Sequence, residues 1–186
     1  DGTLRSRQQV SRLNSEDETV IGETVYDHQG RKAVDIIPAP TGRKKIEFTP
    51  NYNVDIEGKS YSRQNFDLDD DNQCNLSSDP IENTSGAGKY YSSENELKFQ
   101  HDVAIPDAKG YPFIQTVYTN DNTGRIRAQG GIGVDHKIGS GHETKNYYGK
   151  PLQVEIDRMF GSEAGYASHY QKNLVVDPNG QVTVSY

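Results

Sequence analysis

Asp67, Asp69 and Asp71 place three carboxylates at alternate positions, with Asn72 and Gln73 directly behind them. Hard cations take several oxygen ligands, and alternate carboxylates fold inward around a turn in calcium loops. Two positions depart from the EF-hand pattern: Asn72 stands where its Gly would fall, and Ser78 where its bidentate Glu would fall. Calcium is therefore one reading of Asp67, Asp69 and Asp71, and a solvated acidic loop is the other. Asp135, His136, His142 and Glu143 share a Gly-rich stretch, but Asn146 occupies the place of the second His in a His-Glu-x-x-His zinc motif. The single cysteine, Cys74, lies far from them in sequence, which leaves zinc short of ligands.

Nucleophilic chemistry finds no better footing. Gly139-Ser140-Gly141 is too short for a Gly-x-Ser-x-Gly elbow, Cys74 has no recognisable His partner, and His101-Asp102 is a pair without a nucleophile. Gly131-Ile132-Gly133 lacks the third glycine and the following helix of a phosphate cradle. The expectation is a protein that is not an enzyme and carries no cofactor, calcium excepted.

Charge and composition narrow the class further. A net charge of −7 over 186 residues argues against binding a phosphate backbone, so nucleic acid is not expected as a partner. No apolar run approaches the length of a membrane helix, and no membrane insertion is expected. One cysteine excludes an internal disulfide framework. Counting Gly and leaving out Tyr, apolar residues reach about 35%, against about 45–50% for an ordinary soluble domain. Such a chain builds a thin core, better suited to a curved sheet than to a compact globule. Twelve Tyr and no Trp put much of the packing on rings with polar tips.

The elements that would position these residues are mainly β. Thr3 to Leu13 reads as a strand, and Thr19 to Tyr26 with Arg31 to Ile37 as a hairpin stopped by Pro38-Ala39-Pro40-Thr41-Gly42. Lys45 to Thr49 and Tyr52 to Ile56 alternate and read as strands. From residue 58 to 96 periodicity vanishes among Asp, Ser, Asn and the Gly86-Ala87-Gly88 triplet. That stretch reads as a long irregular loop laid over the sheet, outside the core and anchored by Phe66, Leu68, Leu76, Tyr90 and Tyr91. Leu97 to Ile105, Phe113 to Tyr118, a partner strand ending at Gln129, and Thr144 to Tyr148 continue the sheet. Near 151–160 the spacing of Leu152, Ile156, Met159 and Phe160 predicts a short helix, with Pro151 at its first position and Gly161 ending it. Tyr166 to Val176 and Gln181 to Tyr186 make the last hairpin.

One stretch recurs. Tyr26-Asp27-His28-Gln29-Gly30-Arg31 has weaker copies at Asn120-Asp121-Asn122-Thr123-Gly124-Arg125 and at Val176-Asp177-Pro178-Asn179-Gly180-Gln181. In each an Asp ends a β-prone run and a Gly opens the next, which is hairpin chemistry: Asp bonds its own backbone, and Gly takes the positive φ of a tight turn. The first copy resembles the Tyr-Asp-x-x-Gly-Arg signature of the Rhs or YD-repeat family. Residues 123–131, 139–145 and 166–173 are also similar to large Rhs-type surface and secreted proteins of Bacteroidota. The likeness covers most of the chain and is weakest around 55–95.

That resemblance implies a segment of a larger YD-repeat sheet, a wall of hairpins enclosing or presenting a toxic domain, secreted or held at the cell surface. Export by the type IX route is part of the same implication. Its partners would be the remainder of its own polypeptide, an encapsulated toxin domain or the secretion machinery. The sequence opens at Asp1 and closes on a strand pattern at Tyr186, as a piece cut from a continuing sheet would. The residues expected to matter are structural: Tyr26, Asp27, Gly30 and Arg31; Asp121, Gly124 and Arg125; Asp177 and Gly180. The family's self-cleavage site resembles Asp-Pro-x-Gly-x-x-Gly; Asp177-Pro178-Asn179-Gly180 fits its first half, but Thr183 replaces the last Gly, so a turn is the expectation. The rival reading is an extracellular binding module that holds glycan or protein through the Tyr-rich 58–96 loop, with or without calcium. Its stacking platforms would be Tyr90-Tyr91 and Tyr147-Tyr148.

Overall fold

A computed structural model describes residues 4–15, 17–67, 77–96 and 105–186. Among these residues eight antiparallel strands form one sheet whose order in space is the order in sequence. They are β1 Gln8–Leu13, β2 Glu18–Tyr26, β3 Lys32–Pro40, β4 Phe113–Tyr118, β5 Ile126–Gly130, β6 Thr144–Gly149, β7 Lys172–Val176 and β8 Val182–Ser185. The fold is mainly β, as the alternation and turn residues predict.

β2 shows why. Thr19, Ile21, Glu23 and Val25 are buried on one face, while the residues between them are only half-buried on the other. On β3 the buried face carries Val34, Ile36 and Ala39. Its proline run does not stop the strand: β3 reaches Pro40, which pairs with Val20. Ile21 faces Ala39 but Glu23 faces Ile36, so Ile37-Pro38 is a bulge opposite Gly22. Pro40 fits because Thr41 N–H donates to Thr19, which turns the Pro40 nitrogen away from β2.

The inner face of β2–β4 is covered by the chain between β3 and β4. Tyr52, Tyr61, Phe66, Ile81 and Ala87 join Ile21, Val25, Val34, Ile36 and Phe113 in one cluster. Burying a large side chain such as Tyr61 or Ile81 contributes roughly 1.5–3 kcal/mol. This overturns the expectation that 58–96 stays out of the core. Among its expected anchors Phe66 is buried and Tyr90 and Tyr91 pack against the cluster, while Leu68 and Leu76 lie outside the described residues. The Gly triplet opens a short helix, α1 Gly86–Tyr90. A Cβ at Gly88 would stand 2.0 Å from the Glu82 carbonyl oxygen, and one at Gly86 2.2 Å from that of Tyr52. Those glycines serve close approach. A buried polar chain fastens this layer to the sheet: Gln8 and Asn53 amides donate to Glu23, and Asn53 accepts from Ala87 N–H.

Other expectations need correction. Neither Lys45 to Thr49 nor Tyr52 to Ile56 is a strand; Val54 makes only an isolated bridge to Ser60, because the layer is held by turns and side chains. β1 begins at Gln8 rather than Thr3. The arm before β7 is two short 3-10 turns, Ser162–Ala164 and Ala167–His169, so the strand starts only at Lys172. The expected strand over Leu97 to Ile105 lies, up to residue 104, outside the described residues.

The predicted helix forms as α2, Gln153–Phe160, with Pro151 just before the Leu152 cap rather than at the first turn. Gly161 ends it at φ +77°. Glu155 accepts from Leu152 N–H and pairs with Lys172 on β7. Only Ile156 of its apolar residues is buried; Leu152, Met159 and Phe160 are exposed. Alternation places Tyr147, Leu174, Val182 and Val184 on the same inner face that β2–β4 bury, yet Tyr147, Val182 and Val184 are exposed. Among the described residues this face is covered over β2–β4, half-buried on β7 and exposed at β8. Among the described residues no helix is long and apolar enough to cross a membrane.

Candidate functional site

The first Tyr-Asp-x-x-Gly-Arg copy folds as its residue types require. Asp27 N–H donates to the Arg31 carbonyl (2.9 Å), and Gly30 N–H to the Asp27 carbonyl (2.9 Å). The Asp27 carboxylate accepts from Gln29 N–H and Arg31 N–H on one oxygen and from Arg31 Nε, at 2.7 Å, on the other. Gly30 sits at φ +74°. The third copy repeats this frame: Asp177 N–H to the Gln181 carbonyl, Gly180 N–H to the Asp177 carbonyl, and Asn179 and Gln181 N–H onto the Asp177 carboxylate. Gly180 sits at φ +79°. Its Gln181 lacks the guanidinium that closes the first turn.

The middle copy differs. Thr119 N–H, not Asp121 N–H, donates to the Arg125 carbonyl, so the loop is two residues longer and Asp121 lies inside it. There its carboxylate accepts from the Thr119 and Thr123 hydroxyls (both 2.6 Å) and from Thr123 N–H. Those bonds, Thr119 first, hold the Asp121 carboxyl down at about 2. Asn122 and Gly124 supply the positive φ. The turns at Asp27 and Asp121 sit at one end of the strands, and the turn at Asp177 at the other.

Tyr26 and Arg31 do not act within their own turn. Tyr26 hydroxyl donates to the Ser6 carbonyl, with the Arg5 guanidinium 5.6 Å from its ring centroid. Arg31 lies 4.4 Å over Tyr118, whose hydroxyl donates to the Lys32 carbonyl. Arg125 lies 5.1 Å over Tyr148, whose hydroxyl donates to the Ile126 carbonyl. Lys172 lies 5.5 Å over Tyr186. Four strand pairs each carry a cation opposite a tyrosine, and such contacts contribute about 0.5–1 kcal/mol where exposed and more where desolvated. Sequence reasoning missed Arg5, Tyr118, Lys172 and Tyr186 and gave Tyr148 another use; the signal was a basic residue at or just before each odd strand and a Tyr near the end of the next.

The other candidates separate. Asp67 accepts from His28 N–H (2.7 Å) and faces His28 Nδ1 (3.0 Å), while Asp69 and Asp71 lie outside the described residues. His136 and His142 rings stand edge to face at 6.0 Å, and His142 Nδ1 is 3.0 Å from the Pro178 carbonyl. Glu143 is buried and turned to Gly141 N–H and Lys145. Among the described residues no three His, Cys, Asp or Glu side chains gather as metal ligands. Of the two expected stacking platforms, Tyr91 donates to the Pro38 carbonyl and Tyr148 sits beneath Arg125, leaving Tyr147 exposed. Among family descriptions and curated proteins, nothing matches this chain.

Proposed function

We propose that this chain is a structural segment of a secreted or surface-exposed shell of the Rhs/YD type, whose sheet encloses or presents a toxin or effector. The single observation that carries this reading is the strictly sequential order of the eight strands, with β1 and β8 each unpaired on one side among the described residues. Each hairpin finds neighbours only in the hairpins before and after it, as in a repeat array that grows in one direction. The exposed Tyr147, Val182 and Val184 support the same reading, since they continue the apolar pattern that is covered over β2–β4. The reading assigns no reaction to any pocket.

Single-particle imaging of the longest natural polypeptide containing these residues tests the proposal. A hollow β-walled particle with the 1–186 segment in its wall is expected; a solid globular domain in which β1 and β8 stay unpaired overturns it.

A further inference from the structure

We propose that the four cation–tyrosine pairs between neighbouring strands form a register lock that couples successive hairpins, with Arg5, Tyr118, Arg125, Tyr148, Lys172 and Tyr186 as members outside the full motif. The inference concerns how the sheet is held and stands whether or not the sheet belongs to a shell. Its basis is the pairing register. Gln8 faces Glu23, Val34 faces Gln115 and Ala128 faces Lys145. Counted three residues outward from each lie Arg5 and Tyr26, Arg31 and Tyr118, and Arg125 and Tyr148, all at the same offset. Lys172 and Tyr186 stand one step beyond the Asn173–Ser185 pair. The same odd-to-even strand relation therefore recurs four times at one end of the sheet.

The chemistry makes these pairs sensitive to slippage. A one-residue shift moves a tyrosine to the other face of the sheet, and a two-residue shift displaces it by about 7 Å, past the reach of its cation. In three pairs the tyrosine hydroxyl also donates to the carbonyl of the residue after the cation, Ser6, Lys32 or Ile126. That bond fixes position along the strand as well as face. Arg31 Nη1 is buried without a hydrogen-bond partner, so the Tyr118 ring and the Asp27 carboxylate are what offset its charge. The six-residue motif thus has divided duties: Asp27 and Gly30 shape the turn, Tyr26 grips the strand behind and Arg31 the strand ahead.

The test introduces cysteine pairs on a Cys74→Ser background of the intact chain. Asp35→Cys with Ile114→Cys reports the native register, since these residues face each other. Asp35→Cys with Thr116→Cys reports a two-residue slip. A short thiol crosslinker should join the first pair, and Arg31→Gln with Tyr118→Leu should raise the rate for the slipped pair at least tenfold. The two substitutions should also be non-additive, with the double variant's unfolding constant about threefold short of the product of the singles. Unchanged crosslinking, or strict additivity, overturns the lock. Should that double variant fail to fold, Arg125→Gln with Tyr148→Leu decides the matter, read by Gln129→Cys with Thr144→Cys for the native register and with Asn146→Cys for the slip.

Discussion

The Arg31 guanidinium lies over the Tyr118 ring at 4.4 Å while its Nε bonds the Asp27 carboxylate at 2.7 Å, so one side chain joins a turn to a strand of the next hairpin. Replacing Arg31 with Lys keeps the charge and loses the planar fork. The expected cost is about 1 kcal/mol in chemical denaturation, with Tyr118→Phe costing a similar amount through the lost bond to Lys32.

Asp27 holds three hydrogen bonds with a side chain only 8% exposed. Asp27→Ala should destabilise the protein by about 2–3 kcal/mol, because two turn N–H groups and Arg31 lose their acceptor. Asp27→Asn keeps an acceptor oxygen for the N–H groups and should cost less. Denaturant midpoints at neutral pH check the order.

Gly30 and Gly180 occupy the same turn position with nearly the same φ, yet their surroundings differ. A Cβ at Gly30 would fall 1.5 Å from an Arg5 nitrogen, whereas one at Gly180 meets nothing within 4 Å. Gly180→Ala should cost about 1–2 kcal/mol for the left-handed backbone alone. Gly30→Ala should cost roughly 0.5–1 kcal/mol more, as Arg5 is driven off Tyr26. Equal costs would show that Arg5 contributes nothing there.

Asp121 gives a pH signature. Its folded value of about 2 lies below the ordinary 3.8, so the carboxylate contributes stability that is present above about pH 4 and lost as pH falls through 2. Comparing the parent chain with Asp121→Asn, the stability difference should be flat above pH 4 and shrink toward pH 2. A carbon NMR titration of the Asp121 carboxyl checks the value itself.

How much of this was legible depended on distance along the chain. The Asp27 turn and the β2–β3 hairpin were readable because alternation in Val20 to Tyr26 and the Asp-to-Gly spacing are local signals. The covering layer was not, since Tyr61, Ile81 and Ala87 are single apolar residues in polar surroundings, without period, and only the tertiary fold brings them together. The same reason hid the Arg31–Tyr118 pair: the covering layer separates its members in sequence. Asp121 misled because its short motif matches while the turn around it is two residues longer.

Glu23 and Asn53 tie sheet to layer inside the core. Asn53→Ala leaves a Glu23 oxygen and Ala87 N–H without partners, and the expected loss is about 2–4 kcal/mol. Loss of protection at Ala87 N–H in hydrogen exchange would accompany it.

A wall that continues past β8 requires the outer edge of that strand to accept a partner. Asp177 N–H bonds the Gln181 carbonyl, so alternation turns the N–H groups of Val182 and Val184 toward the open side. Sedimentation of the 186-residue chain alone, beside Val184→Pro, measures this directly. Concentration-dependent self-association that Val184→Pro abolishes is the predicted result; a parent chain that stays monomeric and melts cooperatively at every concentration would contradict it.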